Sequence, residues 1–315
     1  MKYKISMEAH NILWADLFKQ EAEILADIIG DNMVNINHIG STSIPGIMAK
    51  PIIDILPEVK DIAKLDLLTS AMEQAGYEAH GEFGLIGRRY FTKTDLDGKR
   101  LVNVHCYQTG NPEIKGHLLF KEYMLEHPEE ATEYSELKEK LAIQFPDDID
   151  AYCNGKDLFV KNILAKAGFN ELYLREVRTD NGWHHYHRIR KAEIFDRNSD
   201  LTYDYNHPSL SDPKCTHYVF YKGVDIIGVV FTEPLNDEDI VFRLLAIDKP
   251  YQNYGYGSIM LKQLENIVKV KNFKRILLHS HKNAYNFYRK NGYIEMEFID
   301  KGKTFQNVID MGKIL

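Results

Sequence analysis

Leu244-Leu245-Ala246-Ile247-Asp248-Lys249-Pro250-Tyr251-Gln252-Asn253-Tyr254-Gly255-Tyr256-Gly257 decides the fold of the second half of the chain. Its first four residues close a strand-like apolar run from Ile240 to Ile247. From Ser258 to about Val270 apolar residues recur at helical spacing. A strand, a turn and a helix in that order gather the amides of Gln252 to Gly257 at a helix N-terminus. Such amides lack intrahelical acceptors, and with the helix dipole they favour an anion such as a pyrophosphate. Glycines 255 and 257 are expected to remove Cβ atoms that would block close backbone approach. Taken alone, a Gly-x-Gly is equally a tight strand-to-helix turn.

Asn283-Ala284-Tyr285-Asn286-Phe287-Tyr288-Arg289-Lys290-Asn291-Gly292-Tyr293 follows downstream. Together the two segments resemble the GNAT superfamily of acetyl-CoA-dependent acyltransferases over about residues 171–315. The resemblance implies that pantetheine lies along the strand of Leu245 and Ile247, that the amides from Gln252 through Asn253, Tyr254, Gly255 and Tyr256 to Gly257 hold the pyrophosphate, and that Asn283 faces the cofactor. It also implies that Tyr288 protonates the departing thiolate, against the alternative of a core aromatic. An amine acceptor needs a base; Glu233, Asp239, His279 and His281 lie at strand ends, and none is preferred. His184, His185 and His187 look like a metal cluster, but neighbouring helix positions diverge by about 100° and no carboxylate completes a set, so a solvated helix face is expected. That helix, about His184–Phe195, and the polar loop Asp200–Lys214 lie where such enzymes shape the acceptor pocket.

Working towards the N-terminus, Ala167-Gly168-Phe169-Asn170 reads as a helix end with a left-handed glycine cap, which places a boundary between domains 1–168 and 169–315. Charge supports the split. Eighteen basic and 27 acidic residues precede residue 170, and 21 and 19 follow it, giving −9 and +2 of the total −7. The acidic first half lacks the clustered Lys and Arg that nucleic-acid binding needs. No apolar run reaches the ~20 residues of a membrane span, and the start lacks a secretory signal, so a cytoplasmic protein is expected. Cys106, Cys153 and Cys215 are too scattered for a disulfide framework or a zinc knuckle and are expected as buried thiols.

The first half alternates helix and strand: an amphipathic helix over 8–29, strands at Met33–Ile39 and Pro51–Leu56, a helix over about Asp61–Ala75, strands near Phe83–Phe91 and Leu101–Tyr107, and a helix-rich tail from Gly116 to Lys166. The fold class expected for both halves is α+β. Between the first two strands, Gly40-Ser41-Thr42-Ser43 offers an open backbone and hydroxyl donors, with Lys50 and Asp54 close behind, a layout that suits phosphate and a divalent cation. Polar turn chemistry explains the same residues without a ligand.

His38-Ile39-Gly40-Ser41-Thr42-Ser43-Ile44-Pro45-Gly46, Lys50-Pro51-Ile52-Ile53-Asp54, Arg88-Arg89-Tyr90-Phe91, Asn103-Val104-His105 and His117 to Tyr123 resemble the GrpB family over residues 8–167. That family belongs with the nucleotidyltransferase fold, whose chemistry uses two metals on about three carboxylates. Here Asp54 stands alone: Leu56 occupies the second position and His105 the third, so the set holds one Mg²⁺ at most. Lys50, Arg88 and Arg89 are candidate anion ligands or plain surface cations. Three functions follow: an N-acetyltransferase with a small-molecule amine acceptor whose first domain binds a nucleotide or other phosphorylated ligand, an acetyl-CoA sensor without turnover, or a bifunctional enzyme with nucleotidyl or phosphoryl transfer in the first domain. The first is preferred.

Overall fold

A computed structural model describes residues 5–197, 202–300 and 308–315. The chain divides into two compact units, Met1–Asn170 and Glu171–Leu315.

The first unit is built on a five-stranded sheet with order β1-β2-β5-β4-β3, comprising β1 (Met33–Ile39), β2 (Ile53–Val59), β3 (Tyr77–Ala79), β4 (Arg88–Thr94) and β5 (Arg100–Gln108). Only β2 and β5 pair in parallel. Alternation along β2 sends Ile53, Ile55 and Val59 to one face, where they pack with Val102, Val104 and Phe91 against Leu25 and Ile29 of α1 (Leu13–Ile29). Asp54 and Leu56 take the other face, where Leu56 meets Ile39, Tyr107 and Ile114 of α4 (Pro112–Glu126). The predicted helix over Asp61–Ala75 divides into α2 (Ile62–Asp66) and α3 (Thr69–Gln74). The strand expected from Phe83 starts only at Arg88, because Arg88 turns back to bond the carbonyls of Glu82 (3.1 Å) and Phe83 (2.7 Å) and closes a turn there. The helical tail is α4, α5 (Pro128–Gln144) and α6 (Ile149–Lys166), and Gly168 ends it at φ +75°.

The second unit carries a seven-stranded sheet with order β11-β12-β10-β9-β8-β7-β6. The strands are β6 (Leu172–Glu176), β7 (Thr216–Lys222), β8 (Asp225–Pro234), β9 (Asp239–Ile247), β10 (Arg275–Ser280), β11 (Ile294–Glu295) and β12 (Ile309–Ile314). Helix α7 (Asp180–Arg190) covers one face through Tyr186 and Ile189, packed on Val219 and Val229. A π-helical turn, Lys191–Phe195, prolongs it. Helix α8 (Tyr256–Val270) supplies the crossover that the parallel neighbours β9 and β10 require, and α9 (Tyr285–Lys290) follows β10. Of the loop expected over Asp200–Lys214, Asp200 and Leu201 lie outside the described residues, as do residues 301–307. The α+β class holds for both units. Among the cysteines only Cys106 is buried; Cys215 is half-buried and Cys153 is exposed on α6, where its i−3, i+3 and i+4 neighbours are Asp150, Lys156 and Asp157. No described helix is long and apolar enough to cross a membrane.

Candidate functional sites in the two units

In the second unit the parallel register of β9 with β10 runs only through Asp239, Ile240 and Val241, although β9 continues to Ile247 and β10 to Ser280. The strands part beyond Val241. On the β8 side, two steps along β8 (Val229 to Phe231) face three steps along β9 (Ala246 to Arg243), a bulge whose extra residue bends the strand. Leu244 adopts φ +53° there, a conformation that costs an ordinary side chain roughly 1–3 kcal/mol. Between the parted strands lies a cavity of about 370 Å³, walled by Leu244 and Leu245, by His279, His281, Asn283 and Tyr288, by Glu193 and Ile194 of the helix prolongation, and by Arg197 just beyond it.

Leu245, Asn283 and Tyr288 therefore share one cleft, as the sequence suggested. Ile247 instead packs its side chain near Gly228 and Gly257. Tyr288 is 8% exposed, bracketed by the rings of Phe242, Phe287 and Tyr293, and burial raises its pKa above the usual phenol value, so it keeps its proton near neutrality. No hydrogen bond engages its hydroxyl among the described residues.

At the mouth of α8, Asn253 (φ +67°) and Gly255 (φ +82°) curl the loop, and the first helix amide with an acceptor is Ser258, on Gly255 O at 3.1 Å. Among the described residues, the amides from Asn253 to Gly257 have no acceptor. Three expectations change here. Gln252 does not join the cradle, because its amide goes to Lys249 O (3.3 Å) and its side chain ties Ile247 O (2.7 Å) to Glu193 (2.6 Å). Gly255 is required by its φ, since a Cβ there would meet nothing within 4 Å. Gly257 makes room for Phe287, whose ring would lie 3.3 Å from an added Cβ, and not for a ligand.

The base candidates separate by register. Asp239 sits at the far end of β9 and is held by both Nε (2.5 Å) and Nη2 (2.6 Å) of Arg275. Glu233 is paired with Arg243 (2.9 Å), and both ring nitrogens of His279 face carboxylates, Asp310 and Asp300, at 2.7 Å each. His281 lines the cavity, and so does Glu193, which the sequence did not single out; its side chain is buried between Gln252 and Arg197. Of the histidine trio, His184 is exposed, while His187 leaves the solvated face that was expected for it: its Nδ1 meets Tyr203 OH at 2.5 Å and its ring stacks on Trp183.

In the first unit, Asp54 lies beneath Gly40: a Cβ on that glycine, at φ +70°, would clash with Asp54 Oδ2. Asn103 donates to Asp54 Oδ1 (2.8 Å), and His105 Nε2 lies 3.7 Å away. Burial pushes the Asp54 pKa up, but His105, Asn103 and Lys50 outweigh it and hold the carboxyl below its ordinary value. Thr42 joins His38 (3.0 Å) to Ile52 O (3.3 Å), Ser43 donates to Gly40 O (2.7 Å), and Lys121 donates to His38 O (2.8 Å). Ser41 has no side-chain partner among the described residues. Lys50 lies over the Tyr152 ring (5.2 Å), and burial together with Lys156 lowers its pKa. Arg89 is not an anion ligand; it grips Asp66 through Nε and Nη2.

The metal assignment of His105 fails on hydrogen-bond chemistry. Arg88 Nη1, which can only donate, faces His105 Nδ1 at 3.3 Å, so Nδ1 accepts and the proton sits on Nε2, directed at Asp54. Neither nitrogen keeps a lone pair for a metal. Among the described residues no three His, Cys, Asp or Glu side chains converge as a metal site. The residues present do not fit Mg²⁺.

Comparison with known proteins assigns a family to each unit. The GrpB protein family model matches residues 4–166, and the acetyltransferase (GNAT) family model matches residues 183–293. YqkA of Bacillus subtilis is 46% identical over 166 residues, 53% of this chain and 48% of that protein, so the chain spans about half the length of this relative. Glutamate-rich protein GrpB of Alkalihalophilus pseudofirmus is 34% identical over 168 residues, 52% of this chain and 95% of that one. The crystal structure of conserved protein GrpB from Enterococcus faecalis aligns with a TM-score of 0.49 at 45% identity, covering 51% of this chain and 96% of that one. The chain belongs to the GrpB family through its first unit and continues into an acetyltransferase (GNAT) family domain in its second.

Proposed function

We propose that the protein is an acetyl-CoA-dependent N-acetyltransferase acting on a small-molecule amine. The parting of β9 from β10 carries this reading, because it leaves the β9 edge beyond Val241 without a strand partner at the very end where the α8 amides open. An extended chain with its own amides, such as pantetheine, would complete that edge along Leu245 and Ile247, and the amides from Asn253 to Gly257 would take the pyrophosphate. Asn283 would face the same chain from the opposite wall. In the transfer the amine nitrogen bonds the acetyl carbon, the carbon–sulfur bond breaks, Tyr288 gives its proton to the thiolate, and a base takes the proton of the amine. Glu193 and His281 line the cleft and are the side chains to test for that second transfer.

For the first unit the reading goes no further than weak binding of a phosphorylated ligand at Gly40 to Ser43, with the Ser41 hydroxyl and Lys50 as donors, and without nucleotidyl transfer. One carboxylate already engaged by Asn103 and His105 cannot clamp attacking and leaving oxygens through two metals.

Free thiol release from acetyl-CoA against a panel of amines tests the transfer. Tyr288→Phe is expected to lower turnover by roughly 10²–10⁴-fold with acetyl-CoA affinity nearly unchanged. Wild-type rates in the variant would make Tyr288 a packing residue. Tight acetyl-CoA binding with no thiol released for any amine would select the sensor instead.

A further inference from the structure

The Gly40 to Ser43 corner of the first unit is largely spent, but the cations beside it are not. Lys50 and Lys156 of α6 share one ring: their ammonium nitrogens lie 5.2 and 4.8 Å from the centre of Tyr152. Lys138 of α5, 1% exposed, joins the group with its nitrogen 4.7 Å from the centre of the Tyr134 ring. The three repel one another. Burial and then Lys156 lower the pKa of Lys50, and burial and then Lys156 take that of Lys138 down to about 7.

Local structure holds the lysines in place. Thr42 donates to the Ile52 carbonyl (3.3 Å), two residues past Lys50, which ties that lysine to the corner. On the other side Met48 is pinned to α5, its amide donating to Ser135 Oγ (2.8 Å) and its carbonyl accepting from Lys138. Lys156 follows Tyr152 by one turn of α6, so the helix itself sets its stem beside that ring.

The chain does not answer this charge. Asp54 and Glu139 act on the group only from beyond ion-pairing distance, and Asp54 is already engaged by Asn103 and His105. Glu136 and Asp157 are paired within their own helices, with Lys140 (3.7 Å) and Lys161 (2.7 Å). Among the described residues none of the three lysines forms an ion pair, and the undescribed residues of this unit, Met1-Lys2-Tyr3-Lys4, contain no carboxylate. Nor does the Tyr152 ring settle the matter, because a ring face attracts a cation yet two cations on one ring still repel each other.

Exposure separates the members of the group. Lys138 is shut in and committed to the Met48 carbonyl, so it contributes charge and no contact. Lys50 and Lys156 are only half-buried, neither donates a hydrogen bond among the described residues, and neither ammonium is closed off from solvent. A lone phosphate is satisfied by one ammonium and the Ser41 hydroxyl. Linked phosphates carry charge over the length needed to meet both lysines at once.

We propose that Lys50 and Lys156 together bind a ligand with two or more linked phosphates, a diphosphate or triphosphate, and that they do so without a metal ion. The chemical class rests on the phosphorylated-ligand reading of the Gly40 to Ser43 corner, whereas the lysine pair rests on its own charge and exposure.

Calorimetry on the full chain in EDTA compares orthophosphate, inorganic pyrophosphate and tripolyphosphate. The two linked phosphates are expected to bind about tenfold or more tightly than orthophosphate, and Lys156→Met to weaken pyrophosphate by about 10–100-fold, the loss of one charge-assisted hydrogen bond, with orthophosphate nearly unchanged. Thermal unfolding adds a second readout. Lys156→Met removes a repelling charge and keeps an apolar stem, so the Tm of the empty variant is expected to equal or exceed the native value. A lower Tm with unchanged pyrophosphate affinity would make Lys156 a packing residue and overturn the proposal. Binding that requires Mg²⁺, or equal affinities for orthophosphate and pyrophosphate, would overturn it as well. Pyrophosphate held by the α8 amides of the second unit would survive both Lys50→Met and Lys156→Met, and that survival also removes the site. If neither variant folds, the comparison of phosphates on the native chain in EDTA decides. Ser41→Ala keeps the two readings apart. Phosphate binding weakened by Ser41→Ala and untouched by Lys156→Met would keep the corner and remove the lysine pair; the reverse would keep the pair and remove the corner.

Discussion

Each unit places a glycine-bearing loop at a strand end, yet the two loops differ in what is left over. In the first unit nearly every polar group at the corner is spent inside the chain: Asp54 on Asn103 and His105, Thr42 on His38 and Ile52, Ser43 on Gly40, and Lys121 on His38. In the second unit the amides from Asn253 to Gly257, the edge of β9 beyond Val241 and the Tyr288 hydroxyl are left without partners among the described residues. Asn253 to Gly255 are exposed, so their open amides form a helix N-terminus that faces solvent and can take an anion, whereas the paired groups around Asp54 are architecture. A motif that resembles a phosphate loop is thus weaker evidence in the first unit than a similar glycine pair is in the second.

The same substitution in both loops gives the largest expected contrast. Gly40→Ala places a Cβ against Asp54 at a positive φ, so strain and overpacking together are expected to destabilise the first unit by about 2–5 kcal/mol in chemical denaturation. Gly255→Ala meets only the conformational cost, about 1–3 kcal/mol, and less where the loop relaxes. Equal losses would show that the first loop is as open as the second.

A smaller effect separates buried histidine from ligand-binding histidine. Burial and then Lys121 depress the His38 pKa to about 4, and burial depresses that of His217 to about 4. For each, the folded value lies below the unfolded one, so stability is complete above about pH 6.5 and is lost as pH falls towards 4. The ceiling is about 3 kcal/mol per residue, from roughly 2.5 pKa units at ~1.36 kcal/mol each. His38→Gln should flatten the acid limb of the first unit's unfolding between those pH values. An unchanged limb would mean that His38 is not held neutral by its surroundings.

What sequence could reveal follows the same division. The α+β class, β1, and α8 behind its glycine turn were legible because hydrophobic period and turn residues are local signals. The bulge at Leu244 was not, since Leu244-Leu245 reads as uninterrupted strand and a positive φ leaves no trace in an apolar pair. Glu193 was missed because a π-helical turn, not a change of period, carries it to the cleft. Asp239 and Glu233 look alike as strand-end carboxylates, and only the register that sets Arg275 and Arg243 beside them tells their roles. His105 resembled a ligand until the β4 strand brought Arg88 to its other nitrogen. Apart from the local turn at Glu193, each miss depended on a partner distant in sequence.

The open amides of the second unit, from Asn253 to Gly257, are the proposed acetyl-CoA cradle. Calorimetric titration of acetyl-CoA into the full chain and into Gly255→Val measures it. A β-branched residue at φ +82° must move the loop that presents those amides. With cooperative unfolding retained, affinity is expected to fall at least tenfold, equivalent to about 1.4 kcal/mol. Native affinity in a folded Gly255→Val variant would contradict the cradle.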